Sequence, residues 1–122
     1  MTVLFLVRHA QADWTRHESR PLSARGREDA ERVADILALH PVCAICASPY
    51  RRAQQTIAPL AERLVLPVQL EPGLKERRLG RFSSGDFLEA VEATWRDPSF
   101  AHPGGETNAA AKQRGLEVVG ID

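Results

Sequence analysis

A chain of 122 residues is long enough for one compact domain and too short for two. With 43% hydrophobic and 26% charged residues it has the make-up of an ordinary globular protein that can bury a core. The formal net charge is zero, so the summed field gives neither nucleic acid nor an anionic membrane a reason to bind.

Residues 2–7 form a β-rich run without alternation, the pattern of a strand covered on both faces. The run lacks the basic lead-in and small-residue cleavage site of a signal peptide, and no stretch approaches the roughly 18 apolar residues of a membrane span. A cytoplasmic protein is expected. Residues 11–22 are polar and read as a loop that Pro21 closes. Ser23 then caps a helix whose apolar positions Ala30, Val33, Ala34 and Leu37 keep helical spacing, with Gly26 weakening its first turn. The helix ends before Pro41.

Residues 42–47 make the second strand. Both cysteines, Cys43 and Cys46, lie in it, on opposite faces if the run is extended, and they read as buried free thiols. Ser48-Pro49 supplies a cap followed by proline at the first helical position. The helix it opens lines up Ala53, Ile57, Leu60, Ala61 and Leu64, and Pro59 inside that pattern should kink it or cost on the order of 3 kcal/mol. Residues 67–70 are a third, short strand, and residues 71–85 are rich in turns. A helix over 86–95, a loop over 97–105, and a last helix capped by Thr107 or Asn108 and running towards Val119 complete the chain. The order β-α-β-α-β-loop-α-α predicts a single α/β domain with a mainly parallel sheet and helices on both faces.

In parallel sheets the reactive groups gather beyond the carboxyl ends of the strands. There the sequence places Arg8-His9 after the first strand, Ser48, Arg51 and Arg52 after the second, and Glu76 after the third. Arginine is the dominant cation, with Lys75 and Lys112 the only lysines, and guanidinium forks match phosphate oxygens, although genome composition gives the same bias. Arginines to hold a dianion, an imidazole to attack or take a proton, and a carboxylic acid to protonate a leaving group form a chemical set.

Five motifs in order then carry a resemblance. Leu6-Val7-Arg8-His9-Ala10 resembles the Arg-His-Gly signature of the histidine phosphatase superfamily, the phosphoglycerate mutase-like proteins. Pro21-Leu22-Ser23-Ala24-Arg25-Gly26 is similar to its Pro-Leu-Ser/Thr-x-x-Gly segment, and Ser48 to Thr56 to its Ser-x-x-x-Arg-Ala-x-x-Thr segment. Leu74-Lys75-Glu76-Arg77-Arg78-Leu79-Gly80 resembles the Leu-x-Glu-x-x-x-Gly loop, and Gly105-Glu106-Thr107, with Arg114 beyond, the Gly-Glu-Ser/Thr motif.

The resemblance implies that His9 is a nucleophile forming a phosphohistidine, that Arg8 and Arg52 clamp the phosphoryl oxygens with Ser48 and Thr15 beside them, and that Glu76 protonates the departing alkoxide. The arginines would supply the charge that other phosphoryl-transfer enzymes take from magnesium, so no metal or other cofactor is implied. Arg51, Arg77, Arg78 and Arg81 read as solvated charges or substrate-rim contacts, and Glu106 and Arg114 as groups that orient the late loop and helix. The implied activity is that of a phosphomonoesterase acting on a small phosphorylated molecule. A non-catalytic phospho-ligand-binding remnant and a mutase-type phosphotransferase are the alternatives. Ala10 stands where the family has Gly, and Thr15 where its mutase branch has Asn. The family's second catalytic histidine belongs to a later strand, and His17, His40 and His102 do not lie in that context, so the resemblance implies a domain that stops short. It implies too that the first strand is an exposed edge, open to a homodimer.

Overall fold

The computed structural model describes residues 2–13, 18–82 and 84–120, with the side chain of Ser84 left aside. They fall into two compact units, residues 1–72 and 73–122. In the first, α1 (Ala24–Leu37) is followed by β1 (Ile45–Ala47), α2 (Arg51–Leu64) and β2 (Val68–Leu70). A short 3₁₀ turn at Pro72–Leu74 falls at the division, and the second unit holds another at Ser84–Asp86, then α3 (Phe87–Arg96) and α4 (Asn108–Val119).

β1 and β2 pair in parallel, Ile45 opposite Val68 and Ala47 opposite Leu70, and α2 is the crossover between them. Beyond the ladder, Glu71 N–H donates to the Ala47 carbonyl at 2.8 Å. One face of the pair carries the core: Ile45 and Ala47 pack with Ala34 of α1 and with Ile57, Leu60 and Ala61 of α2. Along β1 the pattern is buried, exposed, buried, so within this unit both helices serve one face. Cys46 looks out of the other, and Cys43 precedes the strand, so both thiols are exposed rather than buried.

The helices follow the sequence patterns closely. Ser23 caps α1, its Oγ accepting from Gly26 N–H at 3.1 Å. α2 continues past Pro59. A proline inside a helix removes one backbone hydrogen bond and crowds the preceding turn, at about 3 kcal/mol. Burying Ile57 and Leu60 returns about 1.5–3 kcal/mol each, so packing outweighs the proline. α2 starts later than the Ser48-Pro49 signal predicts, with Tyr50 at the cap position and no side-chain cap. Its first N–H, that of Arg51, is met instead by the Glu18 carbonyl at 3.0 Å, while Ser48 Oγ accepts from Tyr50 N–H at 3.2 Å. Arg63 reaches across from α2 to Glu31 and Asp35 of α1, through exposed ion pairs that add little to stability.

The expected first strand is the main departure. Residues 2–7 belong to no strand, and among the described residues none pairs with them. Their apolar side chains are open to solvent, from 42% at Val7 to 87% at Leu6. An apolar run becomes a strand only where another strand meets its backbone, and this one meets none. Among the described residues, no helix is long and apolar enough to cross a membrane.

Candidate active site

The segment after residues 2–7 docks on the two helices. Gln11 lies against the first turn of α1: its carbonyl accepts from Ser23 N–H at 2.9 Å. That approach is so close that a Cβ on Gly26 would overlap the Gln11 carbonyl, which is why this position takes glycine despite its cost to a helix. Ala12 forms an antiparallel bridge with Leu22, and Asp13 N–H donates to the Pro21 carbonyl at 3.0 Å. Leu22 N–H is in turn held by Gln55 Oε1 of α2 at 2.7 Å.

His9 and Arg52 are joined through two intermediaries. Ala10 N–H donates to Thr56 Oγ1 at 2.9 Å, and the same hydroxyl donates to the Arg52 carbonyl one helical turn back, at 2.7 Å. His9 Nδ1 lies 2.7 Å from the Ala10 carbonyl. A carbonyl oxygen only accepts, so Nδ1 carries the proton and neutral His9 keeps its ring lone pair on Nε2. Arg52 is 4% exposed, with its guanidinium 4.3 Å from the centre of the Tyr50 ring. Ser48 is buried just before the helix, whereas Arg8 is exposed. Thr15 lies outside the described residues. Beside this cluster, Glu18, Ser19, Pro49, Arg51, Gln54 and Gln55 line an open cavity of about 440 Å³, to which neither His9, Arg8 nor Arg52 contributes.

Glu76 belongs to the second unit, exposed in the loop that follows the Pro72–Leu74 turn. Its neighbours are tied down. Arg77, expected to be a solvated charge, donates through Nη1 to Thr94 Oγ1 of α3 and to Asn108 Oδ1 of α4, both at 2.6 Å. The Arg78 carbonyl accepts from Glu106 N–H at 2.8 Å. Glu106 binds Arg114 through two parallel hydrogen bonds, each 2.8 Å, and Arg114 Nη1 donates to the Gly73 carbonyl at 2.7 Å. The hydrogen bond from Arg114 holds the Glu106 carboxyl below its ordinary 4.5, against the opposing effect of burial. Gly80 takes a φ of 93°, and the loop closes as Arg81 N–H donates to the Pro103 carbonyl at 2.8 Å. Sequence reasoning missed the Arg77 clamp because its partners, Thr94 and Asn108, carry no local signal.

His102 has a structural post, with Nε2 2.9 Å from the Ala90 carbonyl and Phe82 and Phe100 against its ring. Among the described residues, no three His, Cys, Asp or Glu side chains gather where they would hold a metal.

The sequence profile of the histidine phosphatase superfamily (branch 1) matches residues 4–120. The chain belongs to that superfamily. A protein of Mycobacterium tuberculosis with no assigned function is 43% identical over 77 residues, 63% of this chain and 37% of its own length. The glucosyl-3-phosphoglycerate phosphatase of Mycolicibacterium vanbaalenii is 32% identical across 95% of this chain and 57% of its own. Among solved structures, a mycobacterial glucosyl-3-phosphoglycerate phosphatase in complex with inorganic phosphate superposes with a TM-score of 0.79 at 28% identity, over 92% of this chain and 58% of that one. The chain therefore spans between about a third and three fifths of the length of these relatives. The α/β phosphoglycerate mutase-like fold predicted from the motifs is the fold observed.

Two outcomes follow for the histidine phosphatase fold of this chain. Thr56 is 2% exposed, so Thr56→Val strands the Ala10 N–H and should cost about 1–3 kcal/mol in urea unfolding, with Thr56→Ser largely restoring it. Because the folded Glu106 carboxyl is held below 4.5, its ion pair stabilises fully above that pH and is lost as pH falls through the lowered value. The gap in melting temperature between the parent chain and Glu106→Gln should hold near neutral pH and narrow in acid.

Proposed function

We propose that this chain carries the nucleophile and acid of a phosphomonoesterase that works through a phosphohistidine on a small phosphorylated metabolite. The observation that supports it most is the hydrogen bond from His9 Nδ1 to the Ala10 carbonyl, which assigns the lone pair to Nε2. In this reading Nε2 attacks phosphorus as the P–O ester bond breaks, and the departing alkoxide takes a proton from Glu76. Arg8 and Arg52 offset the charge on the phosphoryl oxygens, with Ser48 and Thr15 at its margin. Water then attacks the phosphohistidine, giving its proton to the Glu76 carboxylate, and the Nε2–P bond breaks to release phosphate. The phosphoryl oxygens accept from these guanidinium N–H groups, and removing one well-placed donor costs about 3–4 kcal/mol of transition-state stabilisation. The substrate class follows the relatives named as glucosyl-3-phosphoglycerate phosphatases, and the reading puts the enzyme in the cytoplasm, where exposed Cys43 and Cys46 stay reduced.

Hydrolysis of p-nitrophenyl phosphate without added metal, measured beside His9→Ala, tests this. A rate abolished by the substitution is expected. Phosphate binding without turnover would instead make the chain a phospho-ligand-binding relative of the enzymes.

The reading also gives residues 3–7 a partner, a second copy of this chain, because contiguous exposed apolar side chains with no paired backbone are poorly suited to water. Light scattering during size exclusion should show concentration-dependent dimers that Leu6→Asp dissolves. Monomers at every concentration would sink the idea.

A further inference from the structure

We infer that Glu106, Arg114 and Arg77 are positioning residues for the Glu76 carboxyl, an inference that rests on the phosphatase reading above. A proton donor must sit within hydrogen-bond reach of the leaving oxygen, yet Glu76 is exposed and lies in a loop without regular structure. The backbone on either side sets where that loop carries it.

Both sides are gripped by one residue. Glu106 donates its own N–H to the Arg78 carbonyl, two residues after Glu76. Its carboxylate takes Nε and Nη2 of Arg114. A guanidinium is planar, so holding those two nitrogens sets the direction of the third. That third nitrogen, Nη1, meets the Gly73 carbonyl three residues before Glu76. The pair is shielded, with side chains 25% and 14% exposed, which sets it apart from the surface ion pairs of α1 and α2. Arg77 adds a third hold next to Glu76 itself, through Thr94 and Asn108. Thr94 is 1% exposed and accepts no displacement without disturbing α3. Gly73, Arg77 and Arg78 are thus fixed while the Glu76 side chain is left accessible.

A positioning role is separable from a merely structural one by the leaving group. Nitrophenolate departs without a proton, whereas an alkoxide needs one, so a displaced acid slows only the second. The test compares p-nitrophenyl phosphate with 2-glycerophosphate for the full chain, Glu106→Gln, Arg114→Lys and Arg77→Lys. The expected result is a loss of about 10²-fold on 2-glycerophosphate, with the p-nitrophenyl phosphate rate within about threefold of the parent. Equal losses on both esters, or none on either, would overturn the inference. Hydrogen exchange keeps it testable where a variant is only marginally folded: amides of residues 74–80 should lose protection while those of α1 and α2 keep theirs, and unchanged protection at 74–80 counts against it. A parent chain that turns over neither ester sinks the phosphatase reading first, a failure visible before any variant is compared.

Discussion

The hydroxyl of Thr56 has a single proton and gives it to the Arg52 carbonyl, which turns its lone pairs towards the chain that follows His9. Through that one buried oxygen the backbone beside the histidine is fastened to the helical turn that bears the arginine. Releasing it leaves either the Ala10 N–H or the hydroxyl without a partner in the interior, where an unmet polar group costs about 1–3 kcal/mol. The remaining contacts of the first unit extend this fastening. Gln55, one residue before Thr56, holds Leu22, and Gln11 rests on the glycine that opens α1. Two helices that share a core around Leu60 and Ala34 thereby set the position of a histidine that belongs to neither.

That arrangement explains why some features were legible in the sequence and others not. α1 and α4 start where Ser23 and Thr107 announce them, because a cap is a local hydrogen bond between residues three apart. α2 shows the limit of local reasoning: the Ser48-Pro49 signal is genuine, but the Glu18 carbonyl from a distant loop takes over the capping, and the helix begins later. The apolar run at residues 2–7 satisfies every compositional rule for a strand and still is none, since pairing depends on a second strand that composition cannot see. The exposed thiols have the same cause. Their burial required a covered second sheet face, and within the first unit that face is open.

The candidate site divides in a similar way. His9, Arg52 and Glu76 were singled out by motif spacing, which records residue types at fixed separations. The groups that hold them were mostly invisible, because Thr56 with Ala10 and Arg77 with Thr94 and Asn108 are pairs remote in sequence. Arg77 shows this most clearly, since neighbouring charges suggested solvent and the fold instead sends the guanidinium between two helices. Ser48 has a demonstrable local role at the Tyr50 N–H, independent of any ligand.

One arrangement recurs at the proposed nucleophile and the proposed acid. In both, neighbouring residues carry anchoring hydrogen bonds. At His9, Nδ1, the nitrogen that the proposed attack does not use, meets the Ala10 carbonyl, and the Ala10 N–H is fastened to Thr56. Glu76 is flanked by Gly73, Arg77 and Arg78, whose carbonyls and guanidinium carry the load. Hence the residues most sensitive to substitution need not be those that touch phosphate. Under the proposed function, a buried hydroxyl on α2 and a shielded ion pair beside α4 matter as much as the histidine and the carboxyl whose neighbours they hold.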